Sequence, residues 1–234
     1  MSTTLIRGAW VATGDPKLGT DYYDIRIDGS RIAEVTAICE YLDEVFPNPS
    51  LRPNNAYALA QMRIWTKRVD ERLHPMTSVL TYAASHRHTI LSNSSSDQVE
   101  AIINETRDPV KRARKREWID LGMDAPTARQ AVSEFKRTLI DMENGLAQQT
   151  WLVGNTYSLA DVALTPYLNR LSMLNMGAFW QRYPNVANWF SRVQSRASFE
   201  PALMEWVSDD LRISLATNGA KSWPKVAAML ERSE

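Results

Sequence analysis

The 234-residue chain has little cysteine, little histidine and no excess of charge: one Cys, three His, and 27 Lys plus Arg against 27 Asp plus Glu. A single thiol, Cys39, excludes an intramolecular disulfide and the small disulfide-stapled secreted folds. Zero net charge supplies no global field toward nucleic acid or anionic lipid, so the expected partner is a small molecule or another protein. No apolar run reaches the roughly 18 residues that span a bilayer, and the first six residues are too short and polar for a secretory leader. A cytoplasmic location without membrane or nucleic-acid partners is therefore expected. The nine glycines and eleven prolines follow no period, which excludes a solenoid.

What is present divides near residue 35. Residues 5–35 alternate in hydropathy and carry turn chemistry: Asp15-Pro16, Gly19, and Asp28-Gly29 between two short β-prone runs. Asp-Gly in that setting is a strong hairpin signal, and three short strands are predicted. From Thr36 the period becomes helical and must stop before Pro47, because the residue preceding proline disfavours the helical region. Pro47, Pro49 and Pro53 mark a linker.

Beyond the linker the pattern is helical. Leu59, Met62, Trp65, Val69 and Leu73 form one stripe, with Arg63, Lys67 and Asp70 facing away. Pro75 is expected to kink or end it. The polar residues 92–97 read as a loop, and a second helical region over 99–148 carries one breaker, Asp108-Pro109. Leu159, Val162, Ala163, Pro166, Tyr167, Leu171 and Leu174 predict a central helix bent at Pro166. Helices follow Pro184 and surround Pro201, and the tail retains Trp223, Val226, Met229 and Leu230, enough apolar surface to dock.

Residues 151–167 read WLVGNTYSLADVALTPY. Ser158 three residues before Asp161 is a capping box, Tyr157 and Val162 occupy hydrophobic-staple positions, and Gly154-Asn155 supplies the entering turn. With YLDEVFPNPSLRP upstream and RYPNVANWFSRVQSRASFEPAL downstream, this block resembles the carboxy-terminal domain of cytosolic glutathione transferases. TAICEYLDEVF at 36–46 resembles the helix that closes their thioredoxin-like domain, and MRIWTKRVD at 62–70 is similar to the bacterial β-etherase-like branch.

The resemblance implies a mainly α fold. A transferase-type helical bundle over 47–234 would follow a short β-rich segment and closing helix over 1–46, the remnant of an incomplete thioredoxin-like domain. It implies glutathione as co-substrate, with its thiolate attacking a hydrophobic electrophile, since the anion is the nucleophile. By position, Glu34 would bind the tripeptide amine, and Arg68, Arg72 and Tyr82 would line the electrophile pocket. A homodimer is the usual assembly of such transferases.

The chain departs from the family pattern in three places. Val35 stands where a Ser should follow the acid, no proline precedes the hairpin at the family spacing, and the front end is short for a βαβ unit of about 30 residues plus the ββα that completes the domain. No thiol-activating residue is assigned; Tyr22 and Tyr23 are the nearest hydroxyls upstream of the hairpin. The alternative reading is a non-catalytic transferase-like module that binds a ligand or a protein and has lost the glutathione site.

Residues 1–35 also resemble the first strands of an amidohydrolase, but the few histidines and the helical remainder do not fit a metal-binding barrel. His86 and His88 fall in helical text, where residues two apart point about 200° apart and cannot chelate one ion, so no metal site is expected. Cys39 reads as a buried inert thiol. The basic run 111–116, flanked by acids, reads as a solvated helix face. Trp65, Trp189 and Trp206 sit in apolar stripes and predict core packing.

Overall fold

A computed structural model describes the backbone of residues 3–12, 20–28 and 35–232 and the side chains of 38–231. Two strands, β1 (Thr3–Ala12) and β2 (Thr20–Asp28), pair antiparallel, with a register irregularity between Ile6 and Ala9. The pairing joins residue 3 to residue 28, so the connection of this hairpin spans 13–19, the segment that holds Asp15-Pro16 and Gly19, and the turn expected at Asp28-Gly29 is not part of it. The third expected strand lies outside the described residues.

Helix α1 (Val35–Val45) ends before Pro47, and its buried Asp43 organises the linker. That carboxylate accepts from the Leu51 amide, from Ser50 Oγ at 3.0 Å and from Arg52 Nε at 3.0 Å. The Leu51 carbonyl in turn accepts from the Leu159 amide at 2.9 Å, tying the linker to the start of the central helix.

The next helical run is continuous but not uniform. It comprises α2 (Ala56–Arg68), a π turn at Val69–Leu73, α3 (His74–Thr81), a second π turn at Tyr82–His86, and α4 (Arg87–Asn93). Pro75 neither ends nor breaks it. Proline has no N–H and its ring crowds the carbonyl four residues earlier; here the turn upstream widens, and the His74 amide reaches back five residues to the Val69 carbonyl. Wide turns of this kind are rare within helices and concentrate at functional sites.

The expected single helical region over 99–148 is divided twice. Helix α5 (Ser96–Asn104) is followed by α6 (Pro109–Leu121), with Asp108 as its cap, and then by α7 (Pro126–Leu146) after a 3₁₀ turn. Both divisions fall at prolines, which suit a first helical position because their missing N–H would have no partner there. Arg116 on α6 is bidentate to Glu100 on α5, and Asp108, Lys111 and Arg114 are exposed, as a solvated basic face requires.

Helix α8 (Leu159–Met173) is the axis of the bundle, passing through Pro166 without interruption. Leu164, Leu168 and Leu171 are fully buried, and Phe135, Leu139 and Met142 of α7 and Trp189 of α9 (Pro184–Gln194) belong to the same core. The capping box forms: Ser158 donates its backbone N–H and its hydroxyl to Asp161 Oδ2 at 2.9 and 3.0 Å. The other carboxylate oxygen accepts from the Leu152 amide at 3.0 Å and from the Trp189 indole at 2.8 Å. Gly154, with φ +82°, lets the 151–154 turn close.

A π turn at Glu200–Met204 precedes α10 (Asp209–Arg232), which docks through buried Leu215 and Val226 as the apolar tail predicted. Trp206 corrects one expectation. It is 68% exposed, because the chain turns there and its indole is spent on the Pro201 carbonyl rather than on the core.

Candidate functional site

A cavity of about 490 Å³ opens between α3, the second π turn and the latter half of α8. His74, Tyr82 and His86 line one wall, and Pro166, Tyr167 and Arg170 the other. The first wall uses a four-residue spacing, and the wide turn at Tyr82–His86 keeps His86 beneath Tyr82. Their rings meet edge to face at 5.8 Å. The same turn buries Ala83, Ala84 and Ser85 against α10. The second wall follows from helical geometry, since residues 166, 167 and 170 share one face of α8.

The electrostatics of these groups are set by burial. Tyr167 is pushed up to about 12 by burial and by the Asp70 charge, and its hydroxyl lies 3.2 Å from His74 Nδ1. Burial also raises the Tyr82 phenol. His86 is held below the usual imidazole range by burial and by Arg170. At neutral pH the cavity thus presents neutral phenols, a neutral His86 imidazole and one permanent cation, the half-buried Arg170 guanidinium. Such a site can donate hydrogen bonds, and His86 can accept a proton.

A second cavity, about 380 Å³ and mainly apolar, lies on the other side of Pro166. Tyr157, Val162, Val193 and Phe199 line it, and Arg196 stacks on the Tyr157 ring at 3.6 Å. The two staple positions, Tyr157 and Val162, thus share one wall.

Of the residues expected to line an electrophile pocket, Tyr82 does line the first cavity. Arg68 and Arg72 face α7 instead: Arg68 pairs with Asp141 at 2.6 Å and stacks over Trp65, and Arg72 approaches Glu134 at 3.8 Å. Neither lines this cavity. Glu34, Tyr22 and Tyr23 have side chains outside the described residues. His74, His86, Tyr167 and Arg170 were not anticipated as a set. The 74/78/82/86 spacing was visible, but the facing wall lies some 90 residues away.

His86 and His88 do point apart. His86 faces the cavity, whereas His88 Nε2 lies 3.2 Å from Ser222 Oγ on α10. Among the described residues no cluster of three or more His, Cys, Asp or Glu could hold a metal ion. Cys39 is half-buried, and burial pushes its thiol up, away from the reactive thiolate. No helix among the described residues is long and apolar enough to cross a membrane.

Residues 112–192 match the family described as glutathione S-transferase, C-terminal domain. The likeness to a glutathione S-transferase C-terminal domain therefore rests on these residues. Protein LigF of Sphingobium sp. strain SYK-6 is similar to this chain at 29% identity over 192 residues, covering 79% of this chain and 74% of LigF. The crystal structure described as β-etherase LigF superposes with a TM-score of 0.64 at 27% identity, covering 79% of this chain and 78% of LigF. Tetrachloro-p-hydroquinone reductive dehalogenase of Sphingobium chlorophenolicum is 37% identical over 79 residues, which is 34% of this chain and 32% of that protein. The likeness to LigF agrees with the branch suggested by residues 62–70.

Proposed function

We propose that this chain acts as a glutathione S-transferase-like protein, conjugating glutathione to a hydrophobic electrophile or cleaving one with it, with the electrophile held in the cavity between α3 and α8. The observation that carries this reading is the likeness to LigF in sequence and fold together, over most of both chains. In the reaction the thiolate sulfur bonds to the electrophilic carbon, and where a leaving group is present it departs with the electron pair of the broken bond. In this reading Tyr82, neutral and a donor, stabilises the oxygen or halide that receives that pair. In the same reading His86, also neutral, accepts the thiol proton.

Glu34 remains the proposed partner of the tripeptide amine, residues 1–46 the proposed thioredoxin-like remnant, and a homodimer the proposed assembly. Exposed Tyr57 and Ile64 on α2 supply apolar surface for that contact. Calorimetric titration of the purified chain with millimolar glutathione tests the central claim. Saturable heat at one site per chain, lost in Glu34→Ala, supports it; no heat from a folded sample removes it. The second reading, a ligand-binding module without glutathione chemistry, is favoured by Val35. This first residue of α1 offers no hydroxyl where the family pattern has one.

A further inference from the structure

We propose that Arg170 makes the α3–α8 cavity a receptor for an aromatic oxyanion, a carboxylate or phenolate on a ring that packs among Tyr82, His86 and Tyr167. This deepens the transferase reading and rests on it for whatever chemistry follows binding.

Several other arginines of the bundle have acidic or carbonyl partners. Arg52 donates to Asp43, Arg68 pairs with Asp141, Arg72 with Glu134, and Arg87 donates to the Ile119 carbonyl at 2.6 Å. Arg170 differs. Among the described residues no carboxylate or carbonyl accepts from its guanidinium, and burial alone perturbs it. A guanidinium carries five donors and stays charged, so holding it half-buried without a counter-charge is costly unless an anion completes the site.

Its neighbours reinforce the sign. The groups lining the cavity with it are two imidazoles, two phenols and the hydroxyls of Thr77, Ser78 and Thr81, none of which is an acid at neutral pH. Asp70 acts on Tyr167 but is not among the groups that perturb Arg170. The planar fork matches a carboxylate better than it matches any neutral group. The ring faces supply the rest: His74, Tyr82, His86 and Tyr167 offer aromatic surface for edge or offset packing. A volume of about 490 Å³ lies in the range that accommodates a substituted aromatic ligand. A neutral analogue of the same shape would leave the guanidinium donors without acceptors, which a site built to hydrogen-bond penalises.

The test is calorimetric binding to the whole chain, without glutathione, of two isosteric pairs: 4-nitrobenzoate against 4-nitrobenzamide, and 4-nitrophenolate against 4-nitroaniline. The anion of at least one pair should bind about tenfold or more tightly than its neutral partner, the scale of a charge-assisted hydrogen bond. Arg170→Gln should erase that preference, and Arg170→Lys should keep part of it. Equal affinities within both pairs overturn the inference, as does a preference that survives Arg170→Gln intact. Should Arg170→Gln fail to fold, the wild-type pairs and Arg170→Lys still decide. Anion preference in a chain that does not bind glutathione keeps the receptor and removes the transferase chemistry; glutathione binding without anion preference does the reverse.

Discussion

Trp189 donates its indole N–H to Asp161 across 28 residues, at 2.8 Å, with both side chains wholly buried. Burial pushes the Asp161 carboxyl up, while the donors from Leu152, Ser158 and Trp189 oppose that shift. The carboxylate therefore joins the 151–157 turn, the cap of α8 and the core of α9 at one point.

Removing this acceptor should be severe. Asp161→Ala leaves several buried donors without partners at about 1–3 kcal/mol each, so a loss on the order of 4 kcal/mol is expected in urea unfolding. Asp161→Asn retains an acceptor oxygen and should lose less. Trp189→Phe removes one bond and should cost about 1–2 kcal/mol beyond its small change in packing. A loss below about 1 kcal/mol for Asp161→Ala would show that the carboxylate does not hold these elements together.

Asp43 plays the corresponding part in the linker, with three donors on one buried carboxylate. Asp43→Ala is expected to destabilise the chain by about 2–3 kcal/mol and to open residues 47–53 to protease. Unchanged cleavage rates in that segment, with stability also unchanged, would count against it.

Gly219 is needed for a different reason. A Cβ there would lie 2.0 Å from the Leu174 carbonyl oxygen and 2.7 Å from its carbon, both backbone atoms that cannot rotate away. Alanine ordinarily favours a helix over glycine by about 1 kcal/mol. Here the clash should dominate, and Gly219→Ala is expected to lower stability by about 2 kcal/mol or more as α10 is pushed from α8. A melting temperature equal to or above that of the parent would contradict the close approach.

His86 gives a pH signature. Burial and then Arg170 hold it below the usual imidazole range, with Tyr82 the uncharged neighbour on its own helix. A depressed native value favours the neutral ring in the fold. The corresponding stability is complete above the ordinary value near 6.5 and is lost as pH falls through the lowered native value. Proton NMR of the imidazole should show this late protonation, and Arg170→Gln should raise its midpoint. A midpoint indifferent to Arg170 would separate the two groups.

Much of the helical bundle was legible in the chain. The 3.6-residue stripes placed α2 and α8, Pro47 ended α1, and the Ser158–Asp161 spacing located the cap, because each of these signals is local. The π turn before Pro75 was not legible, since it answers a clash between that ring and a carbonyl that periodicity does not register. Trp206 read as core for the same reason: spacing describes a face, not what lies opposite it.

The candidate site shows the division most sharply. Helix periodicity and one capped block, which depend on neighbours within a few residues, mark the helical domain and its likeness to glutathione transferases. That Tyr82 and His86 face Arg170, while Arg68 and Arg72 are paired against α7, follows from the packing of the helices. Whether an arginine meets a carboxylate or the wall of a cavity depends on helices separated by tens of residues, whose packing against one another is written in no local pattern.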